Sequence, residues 1–377
     1  MIYLDNSATT KLSSQAFETM KKAFDELWGN PSSAHALGIT SSRILSEARK
    51  NVADAIGVRA RDGRIVFCGS GTEANNLALS GIARAKKNTP RRIITDDSQH
   101  PSVMETLSAL AAEGFEIVRI STKDGVFDTD ALAAAVDEKT LAVTVMSVNN
   151  ETGAHYDVAA AFAAAKSKNP NVITHTDAIQ AFGKIPVIPE KLHADLISVS
   201  GHKIHAPKGI GALYIAEKLI TAKRIVPVIY GGGQEWGLRS GTENVAAAAA
   251  FGEAAKTPFD TENAAALSDR LLSGLPEGVR ANRPRSAVPY IISLTLPGIL
   301  SETAVRFLSE REIYISAGSA CSSNSARRKN PVLEAYGLPV RETECTVRVS
   351  LGGGETKADI DAFLSALRDC VTFLIRR

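Results

Sequence analysis

Cysteine is scarce in this chain of 377 residues: Cys68, Cys321, Cys345 and Cys370 are the only four. No two stand at CxxC spacing, so no disulfide framework is expected, and a cytosolic chain would keep them reduced. The seven histidines do not fall beside the cysteines at ligand spacing, which argues against a structural zinc site. A surplus of one charge is missing too. The 43 basic residues face 41 acidic ones, and a formal net charge of +2 builds no strong field for nucleic acid or a membrane surface. No apolar run approaches the ~20 residues that a bilayer-spanning helix needs. The opening MIYLDNSATT lacks the basic region and long apolar stretch of a secretion signal. The expected setting is therefore cytoplasmic. Neither the dinucleotide fingerprint nor the P-loop pattern occurs, which disfavours a nucleotide-dependent enzyme.

What the chain does have is regular alternation. Seven apolar, β-rich runs, at 64–68, 92–96, 116–120, 141–148, 171–176, 194–200 and 210–215, are separated by helical patterns such as 72–87 and 101–114. Short buried strands alternating with helices predict an α/β domain around a mostly parallel sheet. The pattern changes after residue 256. Strand-like runs at 289–296, 312–316 and 345–351, with helices between and after them, predict a smaller α+β domain. The alanine tracts at 131–135 and 159–165 read as close-packed helices, because alanine costs least in a helix.

Three places carry chemistry. In SVSGHKIHAPKGIGALYI (198–215) a strand runs into Lys203 and then into a glycine-rich turn. A lysine held in a partly apolar pocket has a lowered pKa and can form a Schiff base. A lone lysine there would more often be an exposed turn residue. Upstream, ITHTDAIQAFGK (173–184) places Asp177 at the end of another strand, 26 residues before Lys203 (203 − 177). That pairing suits a pyridoxal cofactor, whose ring nitrogen a carboxylate keeps protonated so that the ring acts as an electron sink. Gln180 lies one helical turn further on. By itself Asp177 would more often cap a helix. Third, FCGSGTEANNLAL (67–79) reads as strand, glycine turn and helix N-terminus, which presents N–H groups and a positive dipole end to an anion. Thr72 adds a hydroxyl. A plain N-cap with Glu73 in the first turn is the simpler alternative.

Together and in this order, these elements resemble the fold-type I pyridoxal-phosphate enzymes, specifically the class V aminotransferase group and, within it, the cysteine desulfurases. The resemblance runs through YLDNSATT (3–10), GNPSSAHALG (29–38), SGTEANN (70–76), VNNETG (148–153), HTDAIQAFGK (175–184), SGHKIHAPKGIGALY (200–214), GGGQEWGLRSGTEN (231–244), SAGSACSSNS (316–325) and VRVSLG (347–352). It implies a large α/β domain with a mostly parallel seven-stranded sheet over residues 14–255, and a small α+β domain from 1–13 and 256–377. It implies pyridoxal 5'-phosphate as cofactor, Lys203 as the Schiff-base lysine and His100 as the histidine stacked on the ring. Asp177 would meet the ring nitrogen, and Gln180 and Asn150 the side of the ring near its phenolic oxygen. Gly71, Thr72, Ser200 and His202 would hold the phosphate, joined by Thr242 of the neighbouring subunit in a homodimer. Arg348 would grip the carboxylate of L-cysteine, with Asn150 beside it, and Cys321 would take the sulfur. Cys321 sits in a run of small polar residues without periodicity. The other three cysteines read as buried structural residues.

The implied outcome is L-alanine plus a persulfide, passed to a protein sulfur acceptor such as an iron–sulfur scaffold or a thiolation enzyme. Arg327, Arg328 and Lys329 offer a basic docking patch for it, though a solvated basic face is as natural a reading. Several positions depart from the family's usual residues: Ser7 and Gly71 stand where alanine is common, Ala206 where glycine is, and Trp236 where arginine often is. None removes a reacting group. A selenocysteine lyase, another reaction on the same scaffold, and a catalytically silent scaffold protein are the alternatives.

Overall fold

The computed structural model describes residues 1–59, 61–318 and 330–375. Among the described residues twelve strands occur, in chain order: β1 (Ile2–Tyr3), β2 (Gly63–Cys68), β3 (Arg92–Asp96), β4 (Glu116–Ile120), β5 (Thr140–Met146), β6 (Ile173–Asp177), β7 (Leu196–Ser200), β8 (Gly211–Ala216), β9 (Arg280–Ala281), β10 (Ile291–Thr295), β11 (Ile313–Tyr314) and β12 (Thr346–Ser350). Seven of them form one sheet in the order β2-β8-β7-β6-β5-β3-β4. All neighbours run parallel except β8, which is antiparallel to both β2 and β7.

The two-residue period of the strands explains how the sheet is covered. Ile65 and Phe67 join one apolar cluster while Val66 and Cys68 join the other, and Ala212 and Tyr214 divide from Leu213 and Ile215 in the same way. Both faces are therefore dry. One is packed by the helix Gly71–Ala83 through Leu77 and Ala78, and by Pro101–Ala112 through Val103 and Leu107. The other is packed by Ala36–Ala55, Val158–Lys168 and Val245–Ala254. Small residues let these helices approach closely: a Cβ on Gly252 would lie 2.6 Å from Ala48 Cα. The alanine tracts fall in the helices Thr129–Ala135 and Val158–Lys168, as their spacing predicts.

The cluster that holds Ile65 and Phe67 continues into the C-terminal part. There β10 pairs antiparallel with both β9 and β12, and the helix Lys357–Ile375 packs Phe363 and Leu367 against them. The predicted strand at 312–316 is shorter than expected, reduced to β11 and an isolated bridge from Ser316 to Arg348. β11 pairs instead with β1, a two-residue strand with too little sequence to show a period. A further bridge joins Asp5 to Ser350. The N-terminal residues thus fold against β12 and reach back over the carboxyl ends of the large sheet. Among the described residues, no helix is long and apolar enough to cross a membrane.

Candidate active site

The carboxyl ends of β2, β3, β5, β6 and β7 share one edge, where open α/β sheets gather their ligand-binding residues. Lys203 closes the short turn that follows β7. It is half-buried, and its Nζ donates to the backbone carbonyls of Ser7 and Ala8. Burial, then the nearby Arg348 charge, pulls its pKa down to about 8, while Asp5, Asp177 and Glu151 oppose the shift. A lysine in that range is a ready nucleophile and proton carrier near neutral pH.

Asp177 ends β6 and is almost fully buried. Its Oδ1 accepts from Ile179 N at 3.0 Å and its Oδ2 from Asn75 Nδ2 at 2.8 Å. Asn75 also donates to Ser102 Oγ at 2.9 Å, so one amide ties the carboxylate to the helix that starts beside His100. His100 caps that helix: its Nδ1 accepts from Ser102 N at 3.1 Å. A backbone N–H can only donate, so the ring proton sits on Nε2. Burial lowers the His100 pKa; Asp177 opposes this and Lys203 adds to it. The imidazole is therefore neutral, with its N–H directed away from the helix.

Gly71 and Thr72, expected to hold a phosphate, open a helix. Ser70 Oγ accepts from Glu73 N, and Gly71 opens the first turn. A Cβ on Gly71 would lie 2.3 Å from Ile179 Cδ1. Ser200 Oγ is buried with no partner. His202 Nδ1 lies 3.2 Å from Thr9 Oγ1. Its pKa falls to about 4 through burial and then the charges of Lys203, Lys208 and Lys184. An excess of lysine charge around a neutral histidine suits an anion.

Gln180 donates to Ser7 O at 2.9 Å, while its Oε1 is buried and unpartnered. Asn150 Oδ1 and Ser7 Oγ are in the same condition. Buried polar atoms are nearly always satisfied, and these border the site: Gln180 follows Asp177, Lys203 Nζ donates to the carbonyl of Ser7, and Arg348 Nη1 donates to the carbonyl of Asn150. The donor and acceptor set fits pyridoxal phosphate: an acid for the ring nitrogen, a lysine for the aldehyde, and hydroxyls with a helix start for the phosphate.

Arg348, on β12, is 5% exposed. Its Nη1 donates to Asn150 O at 3.0 Å and Glu151 Oε1 at 2.8 Å, and its Nη2 to Asp5 Oδ1 at 3.0 Å. Burial works against its charge, and Glu151 and Asp5 outweigh that, leaving its pKa raised.

Two expected residues stand apart in this chain. Thr72 is exposed on the first helical turn, and Thr242 is exposed in the segment before the helix Val245–Ala254. Cys321 lies outside the described residues, as do Arg327, Arg328 and Lys329. The described ends of that segment are informative. A Cβ on Gly318 would lie 3.0 Å from Glu151 Oε2 and 3.2 Å from Asn330 Nδ2, so both ends meet beside the acid that holds Arg348.

Sequence reasoning missed Asp5, Asn75, Ser102 and Glu151. Asp5 and Glu151 sit in short polar runs, DNS and NNETG, and only their acidity between apolar flanks hints at a role. Cys345, expected to be buried, is half-exposed, whereas Cys68 and Cys370 are buried. Among the described residues no three His, Cys, Asp or Glu side chains gather as a metal site.

The family model for aminotransferase class-V matches residues 2–363. A NifS/IcsS protein homolog of Lactobacillus delbrueckii subsp. bulgaricus is 38% identical, covering 97% of this chain and 96% of the relative. The cysteine desulfurase IscS of Methanosarcina thermophila is 36% identical over 98% of this chain and 92% of its own. Among solved structures, a NifS-like protein superimposes with a TM-score of 0.91 at 34% identity, covering 99% of both chains. SspA in complex with cysteine does so with 0.83 at 30% identity, covering 94% of this chain and 100% of its own.

Proposed function

The chain belongs to the aminotransferase class-V family, and from that premise we propose that it is a cysteine desulfurase that releases L-alanine from L-cysteine and keeps the sulfur as an enzyme persulfide. The family's cofactor is pyridoxal 5'-phosphate. The observation that carries the reading is the convergence, on one sheet edge, of a lysine with its pKa drawn to about 8, a buried aspartate on an amide tether, and a buried arginine with a spare donor edge. Lys203 and Asp177 would hold the cofactor at its aldehyde and ring nitrogen. His100 would lie against the ring. Gln180 and Asn150 would take its phenolic side, and Gly71, Thr72, Ser200 and His202 its phosphate. Bound there, the cofactor supplies an electron sink for the substrate's α-carbon.

The chain's own residues do the rest. Arg348 binds the α-carboxylate and, with Asn150, fixes which Cα bond faces Lys203. Lys203, near pKa 8, carries the Cα proton. Neutral His100 can donate from Nε2 as the sulfur changes hands. The Cys321 thiolate attacks the substrate sulfur: an S–S bond forms, the Cβ–S bond breaks, and its electron pair stays with the carbon skeleton that leaves as alanine. Reach supports this assignment. Ser316 exchanges backbone hydrogen bonds with Arg348, and the five residues from there to Cys321 (321 − 316) span up to ~17 Å when extended. The persulfide then passes to a protein acceptor. The active unit is a homodimer in which Thr242 completes the neighbouring phosphate site.

The test is single-turnover persulfide mapping on the purified yellow enzyme with L-cysteine. Equal amounts of alanine and Cys321 persulfide are expected. Cys321→Ser should keep the cofactor absorbance and its response to cysteine while alanine production collapses. Full turnover in that variant, or sulfur found on Cys68, Cys345 or Cys370, would defeat the reading.

A further inference from the structure

The donors of Arg348 are divided unequally. Both N–H groups of Nη1 are committed, to Asn150 O and to Glu151 Oε1, and Nη2 donates once, to Asp5 Oδ1. Nε is buried without a partner. A guanidinium carries five N–H donors. Three serve the protein, which leaves Nε–H and the second hydrogen of Nη2. Two donors are what a carboxylate requires to dock through parallel hydrogen bonds. A carboxylate placed there shares Nη2 with Asp5, however, and brings two like charges onto one nitrogen.

The two acids that grip the arginine differ in freedom. The Glu151 side chain is 2% exposed and that of Asp5 is 20% exposed. Glu151 Oε1 also accepts from Asn150 Nδ2 at 3.0 Å, so it is held from a second side. The Asp5 backbone is pinned as well: the flanking Asn6 donates to Ser350 O through its backbone N at 3.2 Å and through its Nδ2 at 3.0 Å. Only the Asp5 side chain, at the solvent edge, has room to rotate.

We propose that Asp5 is a displaceable stand-in for the substrate carboxylate, holding the Arg348 guanidinium in plane until an amino-acid substrate docks and then yielding Nη2 to it. Asp5 thereby sets the affinity of the site for the α-carboxylate, while Glu151 keeps the arginine oriented throughout. The inference rests on the reading of Arg348 as the carboxylate-binding residue.

Two probes separate the parts. 3-Mercaptopropionate carries the carboxylate and thiol of cysteine without its amine; cysteamine carries the amine and thiol without the carboxylate. Both are titrated by calorimetry into the cofactor-loaded enzyme. Asp5→Asn keeps the size of the side chain and removes its charge. It should tighten 3-mercaptopropionate by about fivefold to tenfold, the scale of one like charge removed at a half-open site, and leave cysteamine unchanged. The KM for L-cysteine should fall in parallel. Unchanged or weaker binding of 3-mercaptopropionate, with cysteamine unaffected, would overturn the proposal and make Asp5 an orienting residue only. An equal change for both probes would also overturn it, since the effect would not pass through the carboxylate. If Arg348→Lys binds 3-mercaptopropionate as the unmodified enzyme does, the underlying reading of Arg348 falls instead.

Discussion

At the scale of the residue, burial moves the ionisation of thiols and amines in opposite directions. It raises the Cys68 thiol pKa well above its usual value, with Glu73 adding to the effect, and raises Cys370 to about 11. It also raises Cys345, helped by Glu344 and Glu342. Thiolate is the reactive form, so all three should react with iodoacetamide at pH 7.5 more slowly than free glutathione. The rate at half-exposed Cys345 should climb as the pH passes 9. Time-resolved peptide mapping gives the order, and rapid labelling of any of the three at pH 7.5 would contradict it. Lys184 responds to the same force. It is 8% exposed, its Nζ lies 4.8 Å from the Tyr290 ring centroid, and burial followed by Lys203 lowers its pKa from 10.5 to about 7. Between pH 7 and 10.5 the unfolded chain then binds more protons than the folded one, so this lysine makes stability rise with pH across that window. Lys184→Met should remove that slope. Below pH 7 it should stabilise the fold by about 1–3 kcal/mol, the relief of a buried charge less a lost cation–π contact. A Tm gain at pH 9.5 as large as at pH 6.5 would show that the charge is not the cause. The sequence reveals residues like Lys203 and Asp177 because each ends a strand with a chemically unusual side chain. It hides Asp5 and Asn75, whose partners lie 343 and 102 residues away and whose neighbours show no period.

At the scale of the element, the seven strands of the large sheet are readable because all but the edge strand β4 are buried along nearly their whole length, and each is a short apolar run bounded by polar turns. The direction of β8 is not readable. It follows β7 through a ten-residue turn (201–210), and nothing in an apolar run states which way it points. The helix start at Gly71 shows how one element constrains another. Alanine is common there in the family, yet here a Cβ would sit 2.3 Å from Ile179 Cδ1 and 3.2 Å from Ser200 Cβ. The glycine and the isoleucine are a matched pair. Gly71→Ala alone should therefore cost about 1–2 kcal/mol through overpacking and weaken cofactor retention. Ile179→Val deletes the clashing methyl, so the double variant should recover most of that loss, a coupling of about 1 kcal/mol. Thermal unfolding of the four proteins in the cycle measures it, and strictly additive losses would mean that Ile179 is not the obstacle.

At the scale of the whole molecule, the described surface leaves large apolar groups in water. Phe17 and Phe24, seven residues apart on the helix Ser14–Glu26, are both exposed, as are Trp28 and Tyr230, at 68% and 77%. Phe17 and Phe24 lie on one helical face, and an exposed apolar patch, where contiguous, marks an interaction surface. The loop that leads to Thr242 is fixed in place. Glu235 is buried, takes two hydrogen bonds from Arg49 at 2.6 and 2.8 Å, and accepts from Phe67 N at 3.1 Å. The guanidinium groups of Arg49 and Arg64 both lie over the Trp236 ring, 4.6 and 5.0 Å from its centroid. Thr242, six residues beyond Trp236 (242 − 236), is exposed, as the proposed sharing of a phosphate site with a second copy requires. Sedimentation should give twice the 40.0 kDa of the chain. A mixture of Lys203→Ala and Thr242→Ala chains tests the sharing of sites directly. Each heterodimer has one site with both substitutions and one with neither. Random pairing makes half of the dimers heterodimeric, so about one quarter of all sites should be intact, although the Lys203→Ala homodimer has none. If Thr242 served its own chain, every site in the mixture would carry one substitution, and mixing would add nothing to the average of the two separate activities.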